Sequence, residues 1–155
     1  MKGNIGRLTI AILSFAVLLA CVMPAAHAAT CSTARAAGTY GFATSGTVVG
    51  IGPRVSAGIV TLDAAGNVNG KATSSLNGAI ADEVFSGTYT VNSDCTTRLA
   101  ANIFDLSGKL LLTVTENGAW DDNMREIRGI FTSATLPDGT SLLTVISLEA
   151  RKFVP

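Results

Sequence analysis

Past residue 30 the chain keeps one rhythm. Short runs rich in Thr, Val and Ile, in which apolar and polar side chains take turns, are broken by clusters of Gly, Asn, Asp and Pro. A period of two marks a strand with one buried face, and no segment after residue 30 carries the 3.6-residue apolar stripe of a helix. The pattern predicts eight strands, at 38–49, 55–63, 67–76, 82–92, 96–106, 109–116, 124–135 and 140–152. Their short connections make successive strands antiparallel neighbours in a meander. Eight such strands leave two open edges unless the sheet closes on itself. The expected fold is therefore all-β, an eight-stranded antiparallel up-and-down barrel. A barrel of that size has an interior that side chains fill or that holds one small ligand. A Greek-key β-sandwich is the alternative, because strand order cannot be read from the pattern.

Several turns are specified by residue type. Gly66 in Asp63-Ala64-Ala65-Gly66-Asn67, Gly108 in Ser107-Gly108 and Gly118 in Asn117-Gly118 stand where hairpins need positive φ. Gly50, Gly52 and Pro53 mark a looser link between the first two strands. The last hairpin has two candidate registers. With Asp138-Gly139 as a two-residue turn, Glu126 faces Arg151 and Arg128 faces Glu149, while Gly129 meets Leu148 and Phe131 meets Ile146. Opposite charges then pair on one face and apolar residues on the other. With Pro137-Asp138 as the turn and Gly139 as a bulge, the pairing shifts by one residue. The first register is expected for the part of the hairpin far from the turn.

The amino-terminal segment reads differently. Lys2 and Arg7 precede an apolar run from Leu8 to Val22, and Ala26-His27-Ala28 has the small-x-small form of a cleavage site. Residues 1–28 are expected to be a secretory signal peptide and residues 29–155 a single domain. The expected location is extracytoplasmic, periplasm or medium. Leu18-Leu19-Ala20-Cys21 suggests a lipoprotein anchored through Cys21 as a lesser alternative. Cleavage would remove His27, the sole histidine, and leave nine Lys or Arg against eleven Asp or Glu, a net charge of −2. That balance offers nothing to nucleic acid or anionic lipid, and no later stretch approaches the roughly 20 apolar residues of a membrane span. Cys31 and Cys95 would be the two remaining cysteines. An even count in an oxidising compartment points to a disulfide.

The absence of histidine after residue 27 excludes the usual catalytic triads and zinc sites, and neither GxSxG nor a phosphate-cradling glycine loop occurs. No cofactor or metal is expected, and no catalytic residue is assigned. Two chemistries stay open. Asp82, Glu83, Asp105 and Glu116 lie on or near predicted strands. A carboxyl that alternation turned inward would have a raised pKa and become a usable acid or base, whereas outward ones are plain surface charge. Asp105 and Glu116 flank the Ser107-Gly108 hairpin. The acidic turns Asp121-Asp122-Asn123 and Asp63/Asn67/Asn69 offer oxygen ligands to calcium, but Asp and Asn are also ordinary turn formers. Tyr40, Phe42, Phe85, Tyr89, Phe104 and Phe131 are expected to face the core. Trp120, beside the acidic turn, either stacks on a ligand at a barrel mouth or plugs the core. Tyr40, Tyr89 and Trp120 are the candidate ligand-binding residues.

Gly38-Thr39-Tyr40-Gly41-Phe42, Gly87-Thr88-Tyr89-Thr90-Val91 with Asn92-Ser93-Asp94-Cys95-Thr96, the Asp63–Gly70 turn and Glu126-Ile127-Arg128 together resemble a group of small secreted bacterial proteins of unassigned function. In shape the chain resembles calycin-like and allene-oxide-cyclase-like barrels. The resemblance spans nearly all of residues 29–155. It implies a barrel that binds a small, apolar molecule. The alternatives are a cyclase-like enzyme that holds a reactive substrate in shape, and a structural or surface-interaction protein with a filled core. Oligomeric state is not legible.

Overall fold

The computed structural model describes residues 30–153; the signal-peptide reading, with Cys21 and His27, falls outside them. A single helical turn, α1 (Thr33–Ala36), comes first, capped by Ser32, whose side chain accepts a hydrogen bond from the Arg35 N–H. Eight strands follow: β1 (Gly38–Val48), β2 (Gly52–Leu62), β3 (Asn67–Leu76), β4 (Ala79–Val91), β5 (Thr96–Asp105), β6 (Leu110–Trp120), β7 (Glu126–Thr135) and β8 (Thr144–Lys152). Each pairs antiparallel with the next. β1 pairs with β8 from Tyr40↔Lys152 to Val48↔Thr144, which closes an up-and-down barrel. The sandwich alternative is therefore excluded.

Alternation sorts the side chains as the pattern predicts. Tyr40, Thr44 and Val48 of β1 are buried, while Ala43, Ser45 and Thr47 are exposed. Closing a sheet of only eight strands needs sharp bends, and glycine supplies them. At Gly58 a Cβ would fall on the carbonyl oxygen of Lys71, and at Gly87 on that of Ala100. No larger residue lets neighbouring backbones approach so closely.

Two apolar clusters fill the ends of the barrel. One gathers Cys31, Tyr40, Leu62, Val68, Tyr89, Trp120 and Met124 at the α1 end. The other gathers Val48, Ala101, Ile103, Val114, Phe131 and Ile146 at the far end. The Cys31–Cys95 disulfide ties the segment before α1 to the start of β5, with Cα atoms 5.0 Å apart.

Several sequence expectations need correction. Asn117-Gly118 is not a turn: it lies inside β6, with Asn117 opposite Ile130 and Gly118 opposite Gly129. The chain turns at residues 121–125, where Asp121 accepts from the Arg125 and Glu126 N–H groups and Met124 adopts φ 56°. β4 starts at Ala79 because Asn77 and Gly78, at φ 50° and 89°, make a tight two-residue hairpin. β2 starts at Gly52, since Pro53 sits near the strand's first residue, where a missing N–H is tolerated.

The last hairpin uses both candidate registers. Far from the turn, Glu126 faces Arg151, Arg128 faces Glu149 and Gly129 faces Leu148. Near the turn the pairing has shifted by one: Thr135 bridges Ser141 and the Leu142 N–H bonds the Ala134 carbonyl, with Gly139 at φ 87°. Thr140–Leu143 consequently leave the β8 ladder. Phe104 does not face the core. The ladder shifts between Ile103 and Phe104, and Phe104 lies beside outward Val84.

Candidate functional site in the barrel interior

The α1 end is a plug. The Tyr40 hydroxyl donates to the Ala36 carbonyl at 2.5 Å, and the Tyr89 hydroxyl reaches the carbonyls of Thr33 at 2.9 Å and Asp63 at 2.7 Å. The Val91 N–H donates to Thr33 Oγ1, and Lys152 Nζ donates to the Ala37 carbonyl while lying 5.6 Å from the Tyr40 ring centre. Burial pushes the Tyr89 hydroxyl up to about 12, with the charge of Asp63 adding to it. Burial raises Tyr40 further, helped by Tyr89 and Asp121. Both phenols are thus permanent donors that hold α1 in place. Trp120 meets the Tyr40 ring edge-on at 5.5 Å, and its indole N–H is buried without a hydrogen-bond partner.

Above this plug lies a cavity of about 60 Å³, walled by Phe42, Val60, Phe85, Leu99, Trp120 and Leu148 among others. One water needs roughly 10–15 Å³ on this measure, so the space exceeds a single water several times over. Its walls are apolar, and such cavities stay dry and take up apolar guests. Phe42 and Phe85 pack edge to face in its wall, with ring centres 5.6 Å apart. Tyr40 and Trp120 belong to its wall; Tyr89 does not, its role being to hold α1.

A polar layer sits inside the barrel between the two apolar clusters. Arg54 Nη2 donates to both carboxylate oxygens of Glu83, at 3.2 and 3.0 Å, and Ser74 donates to the same carboxylate at 2.7 Å. The side chains of this ion pair are 8% and 9% exposed, so surrounding protein rather than water must satisfy them. Thr44 and Ser56 share a hydrogen bond at 2.7 Å beside the pair.

Glu116 also faces inward. It stands opposite Leu99 on β5 and Phe131 on β7. No described residue donates a hydrogen bond to it. Burial pushes its carboxyl up to about 7, against a weaker downward pull from the Arg54 guanidinium.

The four candidate carboxylates thus divide. Glu83 and Glu116 are inside. Asp82 is outside and accepts from Thr73, and Asp105 caps the 105–109 turn through Ser107 and Lys109. Asp105 and Glu116 are therefore not partners. In the acidic turns, Asp63 accepts from the Ala65 and Asn67 N–H groups, as Asp121 does from its own turn. Among the described residues no group of three or more His, Cys, Asp or Glu is placed to hold a metal. Sequence reasoning did not find Arg54; a cation at an inward position of a strand that otherwise alternates cleanly was the available signal.

No protein-family profile matches the chain, and no curated protein sequence is significantly similar to it. Solved structures do match its shape. The redesigned β-barrel mFAP1 bound to DFHBI aligns at TM-score 0.50 and 14% identity, covering 77% of this chain and 97% of that one. EF1p2_mFAP2b bound to DFHBI aligns at TM-score 0.53 and 11% identity, over 77% and 94% of the two chains. At these identities the likeness is one of fold: a small closed β-barrel.

Proposed function

We propose that this chain is an extracytoplasmic barrel protein that takes up one small, largely apolar molecule in its interior, with Tyr40 and Trp120 forming the floor of the site. The apolar cavity beneath Phe42 and Phe85 carries this reading, because a filled core would have no such space. Two barrels of similar shape hold DFHBI, which supports the reading by analogy. The Cys31–Cys95 bridge is consistent with an oxidising compartment, and with removal of residues 1–28 as a signal peptide. Among the described residues no helix is long and apolar enough to cross a membrane. The partner is the small molecule itself; nucleic acid is not indicated.

Native mass spectrometry of the protein purified without denaturation tests this. The expected result is an added mass that leaves on denaturation and is absent from a Leu148→Phe variant, whose larger side chain occupies the cavity. A bare protein mass that stays bare when small aromatic hydrocarbons are supplied refutes it.

The inward Glu116 favours a second reading. A carboxyl near 7 is poised to give or take a proton at neutral pH. A bound reactive substrate held in the cavity would then be turned over with its help, and loss of any detected turnover in Glu116→Gln with binding retained would establish it.

A further inference from the structure

Among the described residues, Glu116 is the inward-facing carboxylate that the plug and the polar layer leave without a hydrogen-bond donor. Arg54 and Glu83 form an ion pair inside the barrel, and Glu116 lies within reach of the Arg54 charge. Arg54 faces Glu116 from β2, and its Nη2 is committed to both oxygens of Glu83 on β4, which Ser74 also binds. The other strands beside Glu116 present Leu99 and Phe131, neither of which titrates. With Glu116 ionised, Arg54, Glu83 and Glu116 together carry one positive and two negative charges. A further anion would be repelled there, and a cation would complete the set.

Glu116 stands beside the cavity wall along the barrel interior. Going down β6 from Glu116, the next inward position is Gly118 and the one after it is Trp120, which lines the cavity. The residue opposite Gly118 is Gly129, also without a side chain, and next to it on β8 is Leu148, another cavity residue. Leu99, the ladder partner of Glu116, is itself in the cavity wall. An inward carboxylate and the wall of an apolar chamber are therefore neighbours along the interior.

We infer that the guest of this barrel is a small apolar amine, its hydrocarbon part in the cavity under Phe42 and Phe85 and its ammonium group received by Glu116. This rests on the reading of the cavity as a ligand site and specifies the chemistry of the ligand. The ammonium donates to the Glu116 carboxylate, so this partly buried, inward charge gains a partner that no described residue provides. A buried ionised group without a partner is costly, and a ligand that supplies one is favoured over its neutral isostere. Above pH 7 the carboxyl is already ionised and the amine binds without proton exchange. Below it, binding the ammonium expels the Glu116 proton and is weakened accordingly.

Toluene and benzylamine, nearly equal in shape, separate the two claims. Each is titrated by calorimetry into wild type and Glu116→Gln at pH 8 and pH 5.5. The expected result is that benzylamine binds wild type at least tenfold more tightly than toluene at pH 8. That advantage should shrink at pH 5.5 and vanish in the Gln variant, which still binds toluene. In wild type, benzylamine should also shift the Glu116 carboxyl carbon resonance, a readout that needs no variant. If toluene binds and benzylamine does no better, or does equally well in Glu116→Gln, the amine inference is overturned and the apolar site stands. If neither binds, the ligand-site reading itself falls.

Discussion

Replacing Glu116 with glutamine should make the protein more stable at alkaline pH and change little at pH 5. The sign follows from linkage. The carboxyl titrates at about 7 in the folded protein, against 4.5 when exposed, so the folded state holds its proton more tightly than the unfolded chain. Below about pH 4.5 both states are protonated and the group contributes nothing. As pH rises through 7 the folded state must carry a charge in a partly desolvated, inward position, and stability falls. Each pKa unit corresponds to about 1.4 kcal/mol, so the full cost approaches about 3 kcal/mol, most of it arising between pH 5 and pH 8. For a domain of this length that is a fall in Tm of roughly 10 °C. No histidine follows residue 27, and the aspartates with resolved shifts are all lowered, so Glu116 is the shifted group that titrates in this window. Urea denaturation of wild type and Glu116→Gln at half-unit pH steps measures the effect. Wild type should lose stability from pH 5 to 8 while the variant stays flat. Parallel profiles would refute the reasoning, because they would mean that Glu116 is solvated.

The acid side should show the opposite slope. Asp63 is held below the usual range chiefly by the Asn67 side chain, Asp94 and Asp105 by the Thr96 and Ser107 hydroxyls, and Asp138 by the Thr140 N–H. Their contribution is present above about pH 4 and lost as they are protonated, so a stability maximum is expected between the two limbs, in a thermal melt series from pH 2 to 8. Reducing the Cys31–Cys95 bridge, or replacing both cysteines with serine, should lower stability by about 4 kcal/mol, since the bridge spans 64 residues. Hydrogen exchange should then be fastest over residues 31–37, where α1 loses its tether. Arg54→Met strands the buried Glu83 carboxylate and should cost about 3–5 kcal/mol; adding Glu83→Leu should restore much of it, which a double-mutant cycle in urea would register.

Strand number and the antiparallel meander of the barrel reading were legible because alternation and turn residues both speak to local structure; the strand order that excludes a sandwich was not, since it rests on the β1–β8 pairing of distant segments. In the β7–β8 hairpin the register far from the turn was legible, since the charged pairs Glu126/Arg151 and Arg128/Glu149 favour it; that the other register takes over near Pro137-Asp138-Gly139 was not. β6 was harder to read. Asn117-Gly118 has hairpin chemistry, yet Gly118 is used for close packing against the β7 backbone, where a Cβ would lie 2.6 Å from the Arg128 carbonyl oxygen. Ending the strand there placed Trp120 in a loop and hid the inward series Val114, Glu116, Gly118, Trp120. Two residues with polar heads, Arg54 and Glu83, sit at inward positions because each is the other's partner across three strands. That is a tertiary relation which no local pattern encodes. The docking of α1 by Tyr40 and Tyr89 is of the same kind.

An empty apolar chamber inside the barrel is the claim on which the ligand reading depends, and xenon reports it directly. Crystals pressurised with xenon should show one anomalous peak within the barrel, bounded by Phe42, Phe85, Leu99 and Trp120. A barrel interior without xenon, its space taken by repacked side chains or ordered water, would contradict the claim and leave a closed, structural barrel.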